Sequence, residues 1–198
     1  MIDLLYSIDV AVFHFINNTL SNPVGDVLWP LITDYDKLWP VRIVLLATWV
    51  VLVTKGGRTG RTAAIMIIPV LFLSDKFSSE IIKEMIDRAR PCHDIGGTPV
   101  VQGIHLLVSC GPGKSFPSSH AVNNFAVATV FAFCYPQWKL WFLGWASLVA
   151  LSRPAVGVHY PSDILFGALV GSLLALVVIW LWLTIEKHIL PKESAKGD

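Results

Sequence analysis

The chain has 198 residues, of which 54% are apolar and only 15% charged, where a soluble domain carries about 25% charged residues. With a mean hydropathy of +0.62 and a formal net charge of +1, this composition excludes a soluble globular domain, a disordered chain and a nucleic-acid binder. One integral membrane domain remains, and the length allows five or six spans of about 20 residues with short loops.

Residues 2–20 set Ile2, Leu5, Ile8, Val12, Phe15, Ile16 and Leu20 against Asp3, Asp9, Asn17 and Asn18. That helical period with a polar stripe predicts an amphipathic helix at the membrane surface or the bundle edge. The start lacks a basic region and a small-residue cleavage site, so no removable signal peptide is expected. Asn22-Pro23 breaks the helix, and the apolar stretch 24–32 is too short to span, so residues 1–37 are read as a peripheral N-terminal region.

A transmembrane core is expected over 38–184. Its first span covers 38–54, with Arg42 placed to snorkel. A glycine-rich loop, 55–61, follows with three positive charges. The second span starts near Thr62, runs past Ile82 and is expected to continue as helix toward Arg90, because Pro91 disfavours helix at the residue before it. Residues 92–116 form a long polar segment; inside it the apolar run 100–108 is too short to cross and is read as an interfacial lid. The third span is 118–135, the fourth 138–151, and the fifth starts at Pro161, a good first-turn residue, and reaches Leu183. A polar tail, 185–198, ends the chain. The expected fold class is all-α, a polytopic membrane helical bundle.

Loop cations set the orientation. Lys55, Arg58, Arg61, Lys139, Lys187, Lys192 and Lys196 lie on one side; Lys37, Lys83, Arg88, Arg90, Lys114 and Arg153 lie on the other. Lys83, Arg90 and Arg153 have a chemical reason for their positions. Without them the first side is the more positive, which puts the tail in the cytoplasm and segment 92–116 outside.

Ionisable residues in or near spans are functional candidates. Lys76, Glu80, Lys83 and Asp87 fall at i, i+4, i+7 and i+11 and would share one helix face. Lys76 and Glu80 read as a pair gluing helices, with Lys83 left available. On the outer side, the end of the second span carries Lys83, Arg90 and Pro91. The third begins with Pro117, Ser118, Ser119 and His120, the fourth ends with Ser152 and Arg153, and the fifth begins with His159 and Asp163. Lys and Arg clamp phosphate oxygens, and a helix N-terminus offers backbone N–H groups to an anion. A carboxylate four residues from a histidine can fix its tautomer and leave the other ring nitrogen as nucleophile, while a second histidine serves as general acid. His93, His105, His120 and His159 lack short ligand spacing, so no metal centre is expected.

Lys-x6-Arg-Pro at 83–91, Pro-Ser-x-His at 117–120 and Ser-Arg-x5-His-x3-Asp at 152–163 resemble the three signatures of the type 2 phosphatidic acid phosphatase superfamily, the lipid phosphate phosphatases. The family's usual Gly before the second-motif histidine is Ser119 here. The resemblance implies a cofactor-free phosphohydrolase of the cell membrane acting on a lipid phosphate or diphosphate, with its site facing outward. His159 would be the nucleophile that becomes phosphohistidine, Asp163 its support and His120 the acid and base. Lys83, Arg90, Ser118, Ser119 and Arg153 would hold the phosphate. Undecaprenyl diphosphate, phosphatidylglycerol phosphate, phosphatidic acid and lipid A phosphate are candidate substrates. Phosphoryl transfer to another lipid is a variant, and a non-enzymatic lipid binder is an alternative that nothing in the residues favours.

Cys92 and Cys110 share the outer segment, where a disulfide is chemically permitted. Closing a loop of that size would stabilise it by about 3 kcal/mol; two free thiols are the other possibility.

Overall fold

The structure, a computed structural model, describes residues 2–189; the end of the expected tail, 190–198, lies outside the described residues. Helix α1 (Ile2–His14) continues as a wide π turn, Phe15–Thr19. The helix α2 (Pro23–Thr33) starts at Asn22, whose side chain accepts the Gly25 N–H at 2.9 Å, with Pro23 in the first turn. Helices α3 (Trp39–Lys55) and α4 (Gly57–Lys76) are joined by Gly56 alone. A second π turn, Phe77–Ile82, leads from α4 into the short α5 (Lys83–Ile86). The outer segment holds a hairpin of β1 (Asp94–Ile95) and β2 (Thr98–Pro99). Helices α6 (Ser119–Cys134), α7 (Lys139–Ala155) and α8 (Pro161–Ile189) complete the bundle.

Helix α6 is central, packed against α4, α7 and α8, with α3 on α4 and α2 on α7. One apolar layer joins Met66 and Val70 of α4, Ala126 and Val130 of α6, and Ala175, Val178 and Ile179 of α8. Small residues let α6 and α8 approach closely, as membrane helices do when lipid is as apolar as their side chains. A Cβ on Gly171 would sit 2.1 Å from the Val122 carbonyl oxygen, and one on Gly167 2.8 Å from Ala121 Cβ. By length and hydropathy α8 can cross a bilayer alone: its stretch Pro161–His188 has a mean hydropathy of 2.7 over its most apolar window. At the far end Arg58 of α4 pairs with Glu186 of α8 at 2.7 Å.

Helix α1 is amphipathic in an inverted sense. Leu4, Leu5, Ile8, Val12 and Phe15 are exposed, whereas Asp9 and Asn17 are buried. Asn17 donates to the carbonyls of His105 (2.8 Å) and Ala155 (2.9 Å) and accepts the His105 N–H (2.8 Å). Half of the polar stripe, Asp9 and Asn17, therefore faces protein, while Asp3 and Asn18 stay exposed.

Three expectations are corrected. The helix after α4 stops at Ile86 and not near Arg90, because Asp87 takes a left-handed conformation (φ 48°) and pairs with Lys114. Lys83 does not share a face with Lys76 and Glu80. Those two form an exposed ion pair, while Lys83 turns toward α6, since the intervening π turn takes up extra residues and shifts the helix register. The run 100–108 is not a lid: Val101 is buried against Phe13 and Tyr160, and the Leu107 N–H donates to the Val156 carbonyl at 3.2 Å. It braces the floor under α1. Cys92 and Cys110 are disulfide-bonded, with Cα atoms 5.9 Å apart.

Candidate active site

The start of α8 is built by its own sequence. Pro161 fills the first turn, and Asp163, two residues on, reaches back to accept the Tyr160 N–H at 2.8 Å, the acidic half of a capping box. Asp163 is fully buried. The oxygen that caps Tyr160 also receives the Ser115 hydroxyl at 2.5 Å and faces His159 Nδ1 at 3.3 Å. Its other oxygen accepts from Arg88 Nη1 at 2.9 Å. His159 is 1% exposed. Burial pushes its imidazole down to about 4, against the opposing pull of Asp163. The ring is thus neutral at pH 7, with Nδ1 held and Nε2 left as the basic nitrogen.

Helix α6 begins beside it. The Ser118 N–H donates to the Asp163 carbonyl at 3.1 Å, locking the two helix starts together. No side chain caps the α6 N-terminus, so its first-turn N–H groups remain as donors. Lys83 Nζ donates to Ser119 Oγ at 2.8 Å. Burial and then the charge of Arg90 lower the Lys83 ammonium, and burial also lowers Arg90, the mark of cations crowded out of water. Arg153, 6% exposed, donates from Nη1 to Thr33 Oγ1 at 2.7 Å. Arg90 Nε donates to the Gly113 carbonyl at 2.8 Å, and the disulfide ties Cys110 of that loop to Cys92, two residues after Arg90. Ser118 Oγ and Arg153 Nε are buried without a hydrogen-bond partner among the described residues. Buried donors of this kind suit an oxyanion.

The structure thus joins Lys83 to Ser119, Ser118 to Asp163, and Asp163 to His159 directly. Arg90 and Arg153 are held by the outer loop and by α2. His120 lies in the first turn of α6, and its carbonyl accepts Asn124 Nδ2 at 2.9 Å. Together with Ser119 it lines a cavity of about 1090 Å³ between α3, α4, α6 and α7. The cavity follows α6 down to Tyr135 and Trp138, past Leu52, Ile67, Val127 and Phe131, a path of roughly 24 Å at 1.5 Å per residue.

Sequence reasoning missed Arg88, Ser115 and Thr33. Arg88 sits two residues before Arg90 and reads as one more loop charge; its spacing to Arg90 and Pro91 was the available signal. Ser115 and Thr33 carry no local pattern that marks them. Chemically, the arrangement offers a neutral imidazole braced at one nitrogen, unused donors beside it, and a second imidazole on the side of an apolar cavity. These are the parts for in-line displacement at phosphorus.

Known proteins share this architecture. A computed profile of the PAP2 superfamily matches residues 63–187. The chain is 25% identical over 176 residues to the lipid A 4'-phosphatase of Bacteroides thetaiotaomicron, covering 87% of this chain and 76% of that protein. It is 29% identical over 168 residues to the undecaprenyl-diphosphatase of Sulfolobus acidocaldarius, covering 83% and 73% respectively. Its fold matches the crystal structure of a transmembrane PAP2-type phosphatidylglycerolphosphate phosphatase from Bacillus subtilis with a TM-score of 0.70 at 20% identity, over 93% of this chain and 89% of that one. All three signature segments fall inside the matched stretch, and by that match the chain belongs to the PAP2 superfamily.

Proposed function

We propose that the protein is an integral membrane lipid phosphatase whose site faces the exterior or periplasm. The observation that carries the reading is the apolar cavity of about 1090 Å³ that begins at His120, because it gives a phosphate bound beside His159 a place for a long apolar tail. In this reading α3, α4, α6, α7 and α8 cross the bilayer. The Arg58–Glu186 pair and Lys55, Arg61 and Lys139 mark the cytoplasmic end, in keeping with the positive-inside rule. The site groups gather at the opposite helix ends.

His159 Nε2 attacks phosphorus, and a nitrogen–phosphorus bond forms as the bond to the lipid oxygen breaks. His120 gives that oxygen its proton. Lys83, Arg90, Arg153 and the donors of Ser118 and Ser119 hold the three equatorial oxygens, where charge concentrates in the transition state. Asp163 stabilises the charge that appears on the His159 ring. A water then attacks phosphorus while His120 takes its proton, and inorganic phosphate leaves. Relatives named for lipid A, undecaprenyl diphosphate and phosphatidylglycerolphosphate make those lipids the substrate candidates, together with phosphatidic acid.

The test is phosphate release by the purified chain in detergent with EDTA, on a panel of those four lipids. At least one is expected to be hydrolysed, with release abolished by His159→Ala. Full dependence on a divalent ion, or activity that survives His159→Ala, would sink the mechanism.

A further inference from the structure

Asp9 sits on the inward face of α1, far in sequence from every signature and outside the stretch matched to the family. Its carboxylate accepts Arg88 Nη2 at 2.6 Å, the Ser162 N–H at 2.9 Å and the Ser162 hydroxyl at 2.5 Å. Arg88 uses its other terminal nitrogen for Ser162 Oγ (2.7 Å) and Asp163 (2.9 Å). Its guanidinium carbon lies 3.8 Å from the centre of the Tyr160 ring, a cation–π contact. One guanidinium therefore bridges two buried carboxylates, one from the N-terminal helix and one that holds His159.

The two oxygens of Asp163 have separate duties. One serves His159, Ser115 and the Tyr160 N–H; among the described residues the side chain that donates to the other is Arg88. Arg88 thus fixes the second oxygen of a carboxylate whose first is held by Ser115, His159 and the Tyr160 N–H, and Asp9 shares the placement of Arg88 with Ser162 and the Tyr160 ring. Charge matters as well. An Arg88 without a second carboxylate would direct its whole charge at Asp163 and weaken that group's support of the imidazole; Asp9 balances it.

We propose that Asp9 is a positioning residue for the reaction: through Arg88 it holds Asp163 against His159, so that the N-terminal helix is part of the catalytic unit. The inference rests on the phosphatase reading above. The test uses the full chain in detergent and the lipid of the panel that it hydrolyses fastest, with orthovanadate as a probe of the phosphate pocket. Asp9→Asn keeps the shape and the acceptor for the Ser162 N–H, and removes the charge and the oxygen that receives Arg88 and the Ser162 hydroxyl. It is expected to lower kcat by about tenfold while KM and the vanadate inhibition constant stay within about twofold, because Lys83, Arg90 and Arg153 are untouched. Arg88→Gln is expected to lower kcat at least as far, and the double variant no further than Arg88→Gln alone, the non-additivity of a single linked chain.

A kcat of Asp9→Asn within about twofold of the parent, additive losses in the double variant, or vanadate binding weakened in step with kcat would each overturn the proposal. If Asp9→Asn does not fold, Arg88→Lys reads the same link, since an ammonium cannot span both carboxylates as a guanidinium does; it should lose kcat and keep vanadate affinity, and an unchanged kcat would overturn the proposal. A parent chain inactive on all four lipids would instead take down the phosphatase reading and this inference with it.

Discussion

Between α6 and α8 the backbones come so close that a Cβ on Gly171 would meet the Val122 carbonyl oxygen at 2.1 Å. Between α1, α2 and the rest of the bundle the polar contacts include Asp9 on Arg88 and Ser162, Asn17 on the backbone at His105 and Ala155, and Thr33 on Arg153, beside the apolar cluster of Phe13, Val101 and Tyr160. The first region is marked by steric fit of small residues, the second by buried polar groups around that cluster. For helices placed in lipid, as under the proposed function, apolar burial supplies little drive for association, so close packing and hydrogen bonds are the two means left. The molecule uses packing where helix spacing must be fixed and polar contacts where the second region must also orient reactive side chains.

The strongest way to break that comparison is Gly171→Leu. A side chain has no room against the α6 backbone, so a loss above about 3 kcal/mol is expected, read as failure to yield a monodisperse detergent-solubilised protein. A folded variant with the parent Tm would show that α6 and α8 can separate cheaply. Next is the outer loop. Replacing Cys92 and Cys110 by Ser should cost about 3 kcal/mol at most, with a lowered Tm. Vanadate binding should also weaken a few-fold, because Arg90 leans on the loop at Gly113. An unchanged vanadate constant would separate the bridge from the site.

Asn17→Leu tests the polar region more narrowly. It strands the His105 N–H and two carbonyls, at a cost of about 2 kcal/mol, and it should reduce kcat as well as Tm, since Ala155 ends α7 and lies between Arg153 and His159 in the chain. A lower Tm with kcat intact would make the region a purely mechanical support. The most gradual effect is expected from pH. His159 is held near 4 in the folded chain, against about 6.5 when free. Between those values the unfolded state binds the extra proton, so this contribution to stability is complete above pH 6.5 and is lost as pH falls toward 4. The Tm of the parent should fall across that window more steeply than that of His159→Gln; parallel curves would mean that His159 is not buried neutral.

The helix starts at Pro161 and after Pro117 were legible because proline acts locally, whereas Asn22-Pro23 was legible only as a break; the signatures could be read because each keeps its residues at short, fixed spacings. Asp9 was legible only as part of a polar stripe. Its partner Ser162 is 153 residues away, and no local period encodes a contact of that separation. Thr33 and Ser115 are ordinary polar residues until the fold buries them beside Arg153 and Asp163. The run 100–108 misled because its composition suits a membrane surface as well as a protein interior; what decides is Val101 meeting Phe13 from the other end of the chain.

The π turn at Phe77–Ile82 gives meaning to chain length itself. One residue more or fewer in a helix turns everything beyond it by about 100°. In this segment the π turn holds the surplus: losing one residue between Lys76 and Lys83 would let it relax to an ordinary α-helix and leave the Lys83 ammonium facing Ser119. The same deletion in the regular helix of α4 has no such outlet and would turn the lysine away, so the segment tolerates the loss of one codon where its neighbours do not.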